Sequence, residues 1–141
     1  MTLKNLIDAI ARLAIDEKLI NSSAAGSSMY QINGENINAY PLLFQTPAGN
    51  HLITDTTTTY NITLYFADRL LDDFSNDIDI YSTAIEQLKN LVKKIDTIDG
   101  VLKVEEDYNI QNFNGIETFD DRLCGAFATI QVITSNSFCA E

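Results

Sequence analysis

The chain has no tryptophan, a single histidine (His51) and only two cysteines, Cys124 and Cys139. Each scarcity removes a class of function. Two cysteines are too few for a disulfide scaffold, and neither has zinc-ligand neighbours at a suitable spacing. His51 falls in a polar stretch and reads as a solvated loop residue, not a general base. Serine-hydrolase elbow, Walker A, dinucleotide-binding and H-E-x-x-H patterns are all missing from the sequence. No catalytic, metal-binding or cofactor-binding residue is therefore expected, and the chain is expected not to be an enzyme.

Cations are scarce as well. Nine Lys and Arg stand against twenty Asp and Glu, for a formal net charge of -11. Holding nucleic acid tightly requires clustered Lys and Arg on phosphates, so wrapping DNA is not expected. An acidic wall past which DNA slides without sticking is compatible with the same balance. Long apolar runs are also lacking. Residues 1–20 carry apolar positions at helical spacing, but Lys4, Asp8, Arg12 and Asp16 interrupt them, unlike a signal peptide. Nothing approaches the roughly 18 apolar residues of a membrane-spanning helix, so no membrane partner is expected. A reducing cytosol is the expected site of synthesis.

What is present is the balance of a folded protein. The 141 residues are 45% hydrophobic and 21% charged, which fits one domain over residues 1–141. Thr2 is a good N-cap for a first helix in which Leu3, Leu6, Ile7, Ile10, Leu13 and Ala14 share a face, ending near Leu19. Residues 21–28 read as loop. A short strand is expected at 29–32, a turn at Asn33-Gly34, and a strand at 40–44 that Pro41 assigns to a sheet edge.

The 46–59 segment is polar and long for a connection in a compact domain. Its four consecutive threonines, Thr56 to Thr59, together with Leu52 and Ile53, favour extended structure, and it reads as a projecting hairpin arm. An arm of this kind offers unpaired backbone to another chain. Its candidate subunit or partner contacts are Pro47, His51, Leu52, Ile53, Thr56 and Thr57.

The clearest strand follows, with Tyr60, Ile62, Leu64 and Phe66 on one face and Asn61, Thr63 and Tyr65 on the other. Residues 68–79 read as an acidic connector. A second helix is expected over 80–95, its apolar face running from Tyr81 through Leu88 to Ile95. Two strands complete the pattern. One spans 103–111, with Val104, Tyr108 and Ile110 of one parity. The other spans 124–134, with Ala126, Ala128, Ile130 and Val132 inward and small residues that leave room for a close helix. The expected fold is α+β, with two helices on one face of a mainly antiparallel sheet of about five strands, in the order α-β-β-β-α-β-β.

Four carboxylates, Asp72, Asp73, Asp77 and Asp79, fall within eight residues. They lack the central glycine and distal glutamate of an EF-hand, and read as a solvated connector favouring a helix N-terminus. Cys124 lies on the inward parity of the last strand and reads as an inert buried thiol.

Taken together, several segments resemble the tail-completion, tail-terminator and neck-ring proteins of tailed bacteriophages, of the kind found in phages of Bacteroidetes. They are the 60–66 strand with its acidic continuation, the 80–95 helix, and the ending Phe119-Asp120-Asp121-Arg122-Leu123-Cys124-Gly125-Ala126 with its apolar continuation and Cys139. The Tyr40-Pro41-Leu42-Leu43-Phe44 strand is similar to their second strand. The resemblance implies a virion structural protein, assembled in the host bacterial cytoplasm as a homo-oligomeric ring at the head–tail junction. Its implied partners are copies of itself, a portal or connector protein and tail proteins, with DNA passing through unbound. The competing expectation is an acidic interaction protein that mimics DNA.

Overall fold

The computed structural model describes residues 1–26, 40–69, 75–117 and 122–136. In chain order the elements are α1 (Leu3–Asp16), β1 (Ser22–Ala25), β2 (Leu42–Pro47), β3 (Leu52–Ile53), β4 (Thr57–Arg69), α2 (Asp77–Ile95), β5 (Val101–Val104), β6 (Ile110–Glu117) and β7 (Arg122–Ser135). The fold is α+β, with two helices against a seven-stranded mixed sheet among the described residues. Strands run β1-β2-β4-β7-β5 across it. β3 joins the β2 side of β4 near one end, and β6 lies end to end with β5 along β7. β1 and β2 are parallel, and every other pairing is antiparallel.

Both helices form where the pattern places them. Thr2 accepts the Asn5 N–H at 3.1 Å, capping α1, which buries Leu6, Ile10 and Ala14. The helix closes in a Schellman arrangement: Leu19 N–H donates to the Ala14 carbonyl, and Lys18 N–H to that of Ile15. Lys18 takes the left-handed conformation this requires, with φ of 59°. α2 starts at Asp77, earlier than the apolar stripe alone predicts. Asp77 and Asp79 occupy its first turn and Lys93 and Lys94 its last, so charge complements the dipole at both ends.

The core forms between these helices and one sheet face. Ile62, Leu64 and Phe66 of β4, Ala126, Ile130 and Val132 of β7, and Leu43 of β2 meet Leu6 and Ile10 of α1 and Leu88, Leu91 and Ile95 of α2. Val104, Tyr108 and Ile110 pack against the same core, as their shared parity predicts.

Several sequence expectations need correction. The sheet has seven strands, not five, and is mixed. The order is α-β-β-β-β-α-β-β-β. Residues 22–25 pair with β2 although their Ser and Ala side chains carry no strand pattern, because backbone alone makes that ladder. β2 is not an edge strand. Pro41 precedes the ladder, where it needs no N–H, and its carbonyl accepts from Asn21 N. The expected 103–111 strand is two strands. The ladder bond from Glu105 N to the Gln131 carbonyl ends the first, and pairing resumes at Ile110. The expected 29–32 strand and the Asn33-Gly34 turn lie outside the described residues.

The small residues of β7 answer to the neighbouring strand as well as to a helix. A Cβ on Gly125 would overlap the carbonyl oxygen of Phe66 in β4, so the two backbones approach more closely than an alanine allows. α2 does pack on β7, and Ala126 belongs to the core they share.

Candidate functional site

At one end of the sheet, the row Ile53–Thr58–Thr134–Val101 crosses four strands from edge to edge, about 14 Å at ordinary strand spacing. This tip holds the 46–59 segment. The segment is not a free arm, which corrects the sequence reading. Ala48 N–H donates to the Asn61 carbonyl, Leu52 and Ile53 pair with Thr59 and Thr58, and Thr57 to Thr59 pair with β7. β7 supplies the ladder partners that the threonine backbone needs, and Thr58 is buried.

The turn at the tip is closed by its own side chains. Thr54 N–H donates to the Thr57 carbonyl at 2.8 Å, and Thr57 N–H to Thr54 Oγ1 at 3.0 Å. Asn136, just past β7, staples it from the other strand. Its N–H donates to the Thr56 carbonyl, its Nδ2 to the Thr54 carbonyl, and its Oδ1 accepts the Thr58 hydroxyl at 2.6 Å. Thr134 Oγ1 then donates to the Thr58 carbonyl. The result is a hydrogen-bonded tip rather than a free arm.

Apolar side chains stand exposed on this frame. Leu52 is 65% exposed and Ile53 72%, on a two-residue strand at the sheet edge. Register places them on opposite faces, Ile53 with Thr58 on the helix side and Leu52 with Thr59 on the other. At the far edge Leu102 is 58% exposed, because the β5 register shifts between Val101 and Lys103 and leaves it unpaired. Leu102 also lines a hollow of about 510 Å³ with Asp55, Thr56, Thr57, Ser135 and Asn136.

The six contact candidates read from sequence divide in this frame. Leu52 and Ile53 present large apolar surface, and Pro47 and Thr56 are exposed. Thr57 is half-buried within the turn. His51 serves the fold instead, since its Nδ1 accepts the Asn61 N–H at 3.2 Å and its ring meets Tyr60 edge-on. Sequence reading missed Leu102 and Asn136. No local signal marks Leu102, since its exposure comes from the bulge. A lone Asn at the end of a long alternating strand is the trace that Asn136 leaves.

At the opposite end of β4, burial raises the Asp68 carboxyl pKa, against the opposing effects of the Arg69 N–H and guanidinium. Burial also pushes the Cys124 thiol up to about 11, with the Asp68 and Asp77 carboxylates adding to the effect. A thiol held protonated is a poor nucleophile. Among the described residues, no group of three or more His, Cys, Asp or Glu is placed to hold a metal ion. Asp72 and Asp73 lie outside those residues. No helix among them is long and apolar enough to cross a membrane.

No family model matches this chain, and no curated protein matches it significantly.

Proposed function

We propose that the chain is a non-catalytic structural subunit that assembles with copies of itself into a ring, in the manner of the neck and tail-terminator proteins of tailed phages. The observation that carries this reading is the stapled tip with Leu52, Ile53 and Leu102 exposed on it. Edge strands of monomeric proteins are usually blunted by charge or proline, and β3 carries two large aliphatic residues instead. A head-to-tail contact at such an edge closes into a ring when its rotation divides a full turn. The acidic balance and the phage-like sequence features described above support a place at the head–tail junction, where DNA passes without being held. There the ring contacts a portal or connector on one side and tail proteins on the other, within a virion assembled in the bacterial cytoplasm.

Light scattering on the purified protein tests the reading. The expected result is a large homo-oligomer that Leu52→Ser with Ile53→Ser reduces to a folded monomer. These two positions are the right probes because replacing His51 removes a bond to the Asn61 backbone and disturbs the fold itself. A monomeric wild-type protein at high concentration would sink the ring. A monomer or dimer is what the DNA-mimic reading requires.

A further inference from the structure

We draw no further inference here: the strongest candidate, the hollow of about 400 Å³ between the end of α2 and β5, lined by residues that include Val92, Lys93, Asp96, Leu102, Glu105 and Tyr108, carries both signs of charge, and nothing in the structure shows what covers it.

Discussion

The side-chain amide of Asn136 donates a 2.8 Å hydrogen bond to the backbone carbonyl of Thr54, joining the end of β7 to a turn 82 residues earlier in the chain. With the Thr58 hydroxyl on its Oδ1, this one residue ties together three parts of the tip. Asn136→Ala removes both side-chain bonds and is expected to cost about 1–2 kcal/mol, the net worth of two partly exposed hydrogen bonds. Hydrogen exchange reads the effect locally: amides at Thr54 to Thr58 speed up while those of α2 hold. Uniform protection at the tip in the variant would show that the turn closes without the staple.

Leu64 in β4 and Leu88 in α2 are both fully buried in the core between sheet and helices. Leu64→Ala and Leu88→Ala are each expected to destabilise the fold by about 2–5 kcal/mol, as truncation in a packed core does. Chemical denaturation measures this, and a loss below about 1 kcal/mol at both sites contradicts the packing described.

Gln45 is a polar residue in an apolar setting. It is fully buried, its Nε2 donates to the Ile7 carbonyl at 2.9 Å, and its Oε1 has no partner among the described residues. Ile7 sits inside α1, where the helix ladder already supplies a donor to its carbonyl. The amide therefore gains one hydrogen bond against the desolvation of an orphan acceptor. Gln45→Met, close in volume, is expected to change stability by less than about 1 kcal/mol or to raise it. A loss of several kcal/mol would mean that the acceptor is satisfied, by ordered water or otherwise.

Asp68 gives the fold a pH dependence. Its carboxyl pKa is raised in the folded state, mainly by burial, so the folded protein binds the proton more tightly than the unfolded chain does. Stability therefore falls as pH rises from the ordinary aspartate value of 3.8 through the raised folded value, and stays lower above it. Asp68→Asn removes that titration. Measured by thermal melts, the variant's advantage is expected to be small below about pH 4, to grow through the acid range and then to level off. A difference independent of pH would locate the titrating group elsewhere.

Cys124 is fully buried, with its thiol pushed up to about 11 by its surroundings. Alkylation at about pH 8, localised by peptide mass spectrometry, is expected to spare Cys124 in the folded protein and to modify it in denaturant. Rapid labelling of the native thiol would contradict its burial.

The sequence was most readable where periodicity was long. α2 and the strands β4 and β7 repeat their apolar positions often enough to reveal type and facing, and Thr2 marked the start of α1 through its hydroxyl. β1 left no trace, because Ser22 to Ala25 join the sheet by backbone hydrogen bonds that any residue can make. β3 has only two residues, too short for alternation to register. Glu105 and Asp107 hid the break between β5 and β6 by falling on the exposed parity of one strand, although Glu106 fell on the inward one. Leu52 and Ile53 could be picked out by composition alone. What makes them a surface, the turn closed by Thr54 and held by Asn136, depends on contacts between distant parts of the chain.

β7 touches β4 along its full length on one side and both β5 and β6 on the other, yet it follows every other described strand in sequence. During synthesis, which runs from the N-terminus, β4 must therefore wait with an open flank. Its threonine-rich and aromatic edge stays available to other nascent chains until β7 emerges to close it. Most of the sheet is long-range pairing that only the arrival of this strand can complete, which favours slow, late and cooperative acquisition of structure. Premature termination before residue 122 thus yields a chain with an unshielded β edge, one primed to aggregate and not merely shorter.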